Sequence, residues 1–465
     1  MKRILTALLA AALLLSLGCA GNEVETPDTT VPNDTTTKAP ETDIPEVKFE
    51  MREDQVYAAD LWDTSETLSL AFIGGSITSG TVTYPEKLPW WPTCGNVWTN
   101  NVISYFVQKY RGEKTIKAEN IALPGTNSQY GATRLSEQLK DFNPDILFIE
   151  YSMNDMGLNE QEMSLFCEHM IRQCMSLDKI PSIVFVHTVN PHEETSSSYP
   201  SWLANVATKD ALAEHYGLMT LNVYDTIRAE YDASGTELTF WEFIGPNGVG
   251  YFPYGEGTTI HDVHPTGAGQ NKISETVITG YETDPEGFFN RPKFVEAFTE
   301  NSEEYLNTYF TMIPCTDESI TFEGDWTHYT QDNQFTTDDA NIAFFPHSYD
   351  SHYKFPCCAE GIMQTVAADS SFTFTTSAKS IAVVTVTSQY ASSKATVYPV
   401  NEDGSLGEAI DNIVDRGGST GMNQLSSFAN LINDGKEHTY KIVVDDPTET
   451  NYVFRVGYII EQFDK

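Results

Sequence analysis

A serine stands directly after a glycine pair, Gly74-Gly75-Ser76, where the apolar run Thr67 to Ile73 ends and Ile77-Thr78 begins. Glycines at such a turn let the backbone approach a ligand closely and leave N–H groups pointing outward. By itself the motif fits a nucleophile, a phosphate-binding turn or a plain turn. Three other segments narrow the choice. Asn120-Ile121-Ala122-Leu123-Pro124-Gly125-Thr126-Asn127-Ser128 comes after a second expected strand, and Tyr151-Ser152-Met153-Asn154-Asp155 after a third. His261-Asp262-Val263-His264-Pro265 lies far downstream, just before a helical segment ending near Val277. A histidine opening a helix can act as general base for a serine hydroxyl, and a glycine N–H and an asparagine amide stand on the other two turns.

Such parts must be carried to one place, and the surrounding pattern supplies the means. From about residue 66 to 230, short apolar runs alternate with segments of helical period, as expected for a parallel α/β sheet. The expected strands are Thr67 to Ile73, Ile116 to Ile121, Asp145 to Tyr151, Ser182 to Thr188 and Leu218 to Val223. Met163, Phe166, Cys167, Met170, Ile171, Cys174 and Leu177 recur every three or four residues, which puts them on one buried helix face. In a parallel sheet the turns after successive strands share the carboxyl edge, where ligands bind in open α/β folds. Residues 232 to 260 break the rhythm with glycines, prolines and the aromatics Phe240, Trp241, Phe243, Tyr251, Phe252 and Tyr254. Such a stretch is either a binding loop or an ordered surface cover.

On these residues the chain resembles the SGNH, or GDSL-type, hydrolase superfamily, in particular its branch with a Gly-Gly-Ser-Ile-Thr nucleophile motif. The resemblance covers roughly residues 66 to 280, with four blocks in the family's order. Its most specific part is Glu119 to Asp155, which holds Asn120 to Gly125, Gly131-Ala132-Thr133-Arg134-Leu135, Pro144 to Glu150 and Asn154-Asp155. The resemblance implies a flavodoxin-like parallel sheet and makes Ser76 the nucleophile. It makes the Ser76 N–H, the Gly125 N–H and the Asn154 side chain the oxyanion hole, and His264 the general base. No cofactor and no metal is expected. One position departs from the family pattern. The aspartate usual three residues before the histidine is replaced by His261, and the nearest acid is Asp262. Asp262 is the provisional third catalytic residue; a Ser-His dyad with a backbone carbonyl as orienter, or an acid from elsewhere, are the alternatives. His169, His187, His192 and His215 have no motif around them and read as ordinary polar or packing residues.

The rest of the chain sets the context. Its 465 residues exceed the roughly 250–300 over which one core keeps growing, so two folded domains are expected. Hydrophobic residues at 40% and aromatics at 12% supply those cores and exclude a wholly disordered chain. The net charge of −39 repels phosphate backbones and anionic bilayers, which excludes nucleic acid as a partner. Lys2 and Arg3 precede an apolar stretch from Ile4 to Leu17, too short for a comfortable membrane span, and then Gly18-Cys19. This segment resembles a bacterial lipoprotein signal with Cys19 as the acylated residue, although Ser16 stands where leucine is usual. The protein is therefore expected outside the cytoplasm, held to the bacterial cell membrane by an N-terminal lipid anchor only, with plain secretion as the alternative.

Residues 20–48, rich in Thr, Pro, Asp and Glu, read as a disordered tether. The hydrolase domain is expected over 49–280 and a connection over 281–314. From 315 to 465 short alternating runs separated by turn residues predict an all-β sandwich or jelly roll: Ser371 to Thr375, Ser380 to Thr387, Lys394 to Pro399, His438 to Val444 and Tyr452 to Ile459. Export permits disulfides among Cys94, Cys167, Cys174, Cys315, Cys357 and Cys358. Cys167 and Cys174 are poor partners, because seven residues of helix separate them by about 10.5 Å along the axis.

Exported relatives of this kind commonly remove acetyl or other short acyl groups from carbohydrates, so the resemblance implies a serine esterase acting on an acylated polysaccharide or oligosaccharide. Trp90 and Trp91 fit either core packing or a sugar platform. The β-domain fits a glycan-binding module or a body that shapes the cleft. Two other readings stand beside this one: a lipid or short-chain ester hydrolase, and a non-catalytic glycan-binding surface lipoprotein.

Overall fold

The structure is a computed structural model that describes residues 49–80, 97–139, 141–191, 198–252, 263–329, 362–386, 393–415, 423–445 and 454–464. Cys19 and the tether, Trp90, Trp91, Cys94, His192, His261, Asp262, Cys357 and Cys358 lie outside the described residues.

Five strands form the first sheet: β1 Thr67–Gly74, β2 Thr115–Asn120, β3 Ile146–Glu150, β4 Ser182–His187 and β5 Met219–Asn222. All are parallel and their order is β2-β1-β3-β4-β5. This is the doubly wound order with its reversal beside β1, the flavodoxin-like arrangement expected. The side-chain period of two divides each strand between two cores. Leu68, Leu70 and Phe72 of β1 join Ile146 and Phe148 of β3 on one face, with Phe72 and Phe148 stacked at 4.8 Å. Ala71, Ile73, Leu147 and Ile149 line the other.

Helices cover both faces. On the first lie α2 Trp98–Lys109, α6 Val223–Ser234 and α7 Gly267–Thr283, after the single turn α1 Ser76–Ser79. On the second lie α3 Ser128–Leu139 and α4 Glu160–Met175, while α5 Ser198–Tyr216 sends Trp202 into the first core and Tyr216 into the second. Of the predicted α4 stripe, Met163, Phe166, Cys167, Met170, Ile171 and Cys174 are buried as their spacing requires, while Leu177 lies beyond the end of the helix and is half-buried. An Asn159–Glu162 capping box fixes where α4 begins.

The antiparallel part begins with Thr308–Pro314, inside the segment expected to be only a connection, because that strand pairs with Tyr458–Asp464 at the end of the chain. One five-stranded sheet runs in the order Asp411–Asp415, Ser393–Pro399, His438–Val444, Ser371–Thr376, Thr321–Glu323. A second holds Ser380–Val386 between Asn423–Leu425 and Tyr458–Asp464, and the two enclose a core that includes Phe372, Ile381, Tyr440 and Ile459. The run Tyr452 to Ile459 is not one strand. It breaks at Gly457, whose N–H donates to the Val384 carbonyl at 2.8 Å and whose carbonyl accepts from the Cys315 N–H at 2.9 Å. Phe454–Val456 pairs with Ile362–Thr365, and the chain beyond Gly457 belongs to the second sheet.

Residues 49–465 form one compact unit. A continuous apolar seam joins its halves: Leu123 and Tyr130 of the first pack with Phe310, Ile362, Ala382, Val384, Tyr458 and Ile460 of the second. Beside this seam His169 Nε2 lies 3.1 Å from the Thr308 carbonyl, its ring against Tyr305 and Phe310.

Candidate active site

β1 ends at Gly74, and Gly75 is extended at φ −89° and ψ −150° before Ser76 opens α1. The turn is tight because two neighbours crowd it. A Cβ on Gly74 would lie 2.4 Å from the Glu150 carbonyl oxygen, and one on Gly75 would lie 2.1 Å from Asn154 Oδ1. A side chain at Gly74 would meet backbone, and one at Gly75 would have to displace the Asn154 amide. α1 stops after one turn at Gly80, whose φ of +100° is left-handed. Ser76 is buried, and its Oγ lies 2.8 Å from His264 Nε2.

His264 reaches Ser76 because the start of α7 is fixed. Thr266 caps the helix, accepting from the Gly269 N–H, and donates its hydroxyl to the Gly250 carbonyl at 2.6 Å. Its own N–H donates to Tyr251. Burial, and the Glu230 carboxyl that the Tyr251 hydroxyl bonds, push Tyr251 up to about 12, so this group stays a proton donor. Farther along α7, buried Gln270 donates to the Ile77 carbonyl at 3.3 Å and accepts from the Trp98 N–H at 3.0 Å. The helix that follows the histidine is thereby tied to the turn that carries the serine.

The two other predicted donors reach the same edge. Asn154 opens a short 3-10 turn to Gly157 with its amide against Gly75. The adjacent Asp155 is buried, takes the Ser128 N–H at 2.7 Å and pairs with Lys209 Nζ at 2.7 Å. Gly125 has φ +73°, a left-handed conformation that suits glycine. Its turn is held by the Leu123 N–H on the Gly74 carbonyl, while the Asn120 amide donates to the Thr78 carbonyl. The turns after β1, β2 and β3 are thus bonded to one another, with Ser76, Gly125 and Asn154 on them.

Three further residues have a part in this arrangement that the motifs did not single out: Gln270, Lys209 and Glu150. Glu150 ends the apolar strand β3 and is fully buried. It accepts from Thr78 Oγ1 at 2.8 Å, Thr188 Oγ1 at 2.9 Å, Ser152 Oγ at 3.0 Å and the Ser152 N–H at 3.2 Å. An acidic residue closing an otherwise apolar run is the signal for it, since a carboxyl in such a place needs several partners.

Among the described histidines without a motif, His187 meets Asp210 at 3.0 Å and His215 meets the Glu296 carbonyl at 2.8 Å. In the described part of the aromatic segment, Phe240, Phe243, Tyr251 and Phe252 join the core, so that part is an ordered cover. Cys167 and Cys174 are buried free thiols, and Cys315 is buried as well. Among the described residues no group of His, Cys, Asp and Glu is placed to hold a metal ion.

Chemically, a hydroxyl on an imidazole nitrogen at the carboxyl edge, beside backbone N–H groups and an amide, can attack a carbonyl and hold the oxyanion that forms. No protein-family model matches the chain, and no curated protein matches it in sequence. Among solved structures, the crystal structure of a two-domain esterase active on acetylated mannans is similar over 87% of this chain and 94% of its own, at 18% identity and a TM-score of 0.56. That esterase co-crystallized with mannopentaose matches over 87% of this chain and 93% of its own, at the same identity and TM-score. The likeness is one of fold and spans both halves of the molecule.

Proposed function

We propose that this protein is an exported, lipid-anchored serine esterase of SGNH type that removes acetyl or other short acyl groups from a polysaccharide or oligosaccharide. The observation that carries the reading is the 2.8 Å contact between Ser76 Oγ and His264 Nε2 at the carboxyl edge of the parallel sheet. The fold shared with an esterase active on acetylated mannans, across both domains, supports the substrate class. The anchor rests on the Gly18-Cys19 signal.

In this mechanism Ser76 Oγ attacks the ester carbonyl while His264 Nε2 takes its proton. The carbonyl oxygen becomes an oxyanion and is met by the Ser76 N–H, the Gly125 N–H and the Asn154 amide. The intermediate collapses, His264 returns the proton to the sugar oxygen, and the deacylated glycan leaves. Water, activated by the same imidazole, then releases the acid from Ser76. Asp262, two residues before His264 in the sequence, is the provisional group to orient the imidazole; a Ser-His dyad oriented by a backbone carbonyl, or an acid from elsewhere, are the alternatives.

The test is acetate release from acetylated mannan, xylan and pectin by wild type and by Ser76→Ala, compared with hydrolysis of long-chain esters. Acetate from at least one glycan, lost in Ser76→Ala with the fold intact, is the expected result. Unchanged turnover in that variant refutes the assignment of the nucleophile, and faster cleavage of long-chain lipids refutes the substrate class.

A further inference from the structure

We propose that Glu150 is a positioning residue that sets the nucleophile turn and the oxyanion turn in register; this rests on the reading of Ser76 as the nucleophile and Asn154 as an oxyanion donor. The carboxyl lies beneath three turns of the carboxyl edge and is bonded to all of them. One oxygen takes the hydroxyl of Thr78, two residues after Ser76. The other takes the N–H and hydroxyl of Ser152, two residues before Asn154, and the hydroxyl of Thr188 after β4. The backbone of the same residue repeats the link, since its carbonyl accepts from the Gly75 N–H at 3.3 Å.

These contacts are themselves braced. The Thr188 N–H donates to Ser152 Oγ at 2.8 Å, Trp202 Nε1 donates to the Thr188 carbonyl at 3.0 Å, and the Asn205 amide donates to the Ser152 carbonyl at 2.8 Å. A fully buried carboxyl with four donors on its two oxygens has few alternative geometries, because losing any donor leaves lone pairs unsatisfied away from water. Ser76 and Asn154 are therefore held relative to each other by one rigid group between them. A small shift of one against the other would move the amide off the developing oxyanion, and misplacements of about 1 Å can cost about 10²-fold in rate.

Glutamine in this place can still accept from the Ser152 N–H and from Thr188 through its oxygen, and can donate its amide to Thr78 Oγ1 once that hydroxyl rotates. It keeps the bridge, with one donor reversed. Alanine removes it.

The experiment measures kcat and KM for 4-nitrophenyl acetate, with active sites counted by a phosphonylating reagent so that only folded enzyme is compared. Glu150→Ala is expected to lower kcat about 100-fold with KM within about twofold, and Glu150→Gln to return kcat to within about tenfold of wild type. In an Asn154→Ala background, Glu150→Ala should cost only about threefold, because the alignment it provides has lost its object. A purely structural role predicts additive losses, or losses that vanish once active sites are counted, and either result overturns the proposal. If Glu150→Ala does not fold, Thr78→Val serves in the same cycle; a loss in kcat that the Asn154→Ala background abolishes supports the bridge, and an additive loss overturns it. Wild type without any Ser76-dependent hydrolysis overturns the reading of the site and this proposal with it; active wild type with additive variants overturns the proposal alone.

Discussion

The side-chain amide of Asn154 occupies the space that a Cβ on Gly75 would need, with its Oδ1 2.1 Å from that point. The residue before the nucleophile is therefore fixed as glycine by the group assigned to hold the oxyanion. Gly75→Ala must push Asn154 away, and kcat should fall by about 10²-fold or more while the protein stays folded. Steady-state kinetics with circular dichroism check this; a variant with native turnover means that Asn154 does not serve the oxyanion from its present position.

Gln270 makes a second test of how the site is assembled. Its removal leaves the buried Trp98 N–H without its acceptor and frees α7 from the nucleophile turn. Gln270→Ala should lower stability by about 1–3 kcal/mol and also lower kcat with little change in KM. Calorimetry beside kinetics separates the two effects. A stability loss alone would leave Gln270 as a tie between helices with no bearing on His264.

Asp155 and Lys209 form an ion pair in which both side chains are buried. Lys209→Met strands a carboxylate away from water and should cost about 3–5 kcal/mol in urea unfolding. Adding Asp155→Asn to that variant should recover a large part of the loss, since no uncompensated charge then remains. Full additivity of the two substitutions is the outcome that contradicts this account.

The buried thiols give a chemical check on the packing. Burial pushes Cys167 up to about 12 and raises Cys174 as well, and the thiolate is the reactive form. At pH 8, iodoacetamide should leave the peptides carrying Cys167 and Cys174 unlabelled in native protein and label both in urea. Labelling of either under native conditions means that α4 opens readily.

The parallel sheet was legible in the sequence because its signal is local. Three of its strands, Thr67–Gly74, Ile146–Glu150 and Ser182–His187, are short apolar runs, and three of its turns carry residues that announce themselves: Gly74-Gly75-Ser76, Gly125 and Asn154. The ties between those turns were not legible, because their partners are distant in the chain. Thr78 and Glu150 are 72 residues apart, and Gln270 and Ile77 are 193 apart. No local pattern marks such pairs. Glu150 alone left a trace, as a carboxyl where an apolar strand should end. Gly457 misled for a related reason: Tyr452 to Ile459 alternates like one strand, and only the crossing hydrogen bonds to Val384 and Cys315 divide it between two sheets.

The seam between the halves gives the β-domain a different standing from that of a module on a string. Leu123, whose N–H holds the Gly125 turn to Gly74, buries its side chain against strands from residues 308 to 464. The floor of the catalytic edge and the face of the sandwich are thus one mould. Exchange of this sandwich for another, in a laboratory or in a genome, would succeed only where the newcomer brings apolar residues that match Phe310, Ala382, Val384, Tyr458 and Ile460 in size and place. A change of size on one side of this seam calls for a matching change on the other.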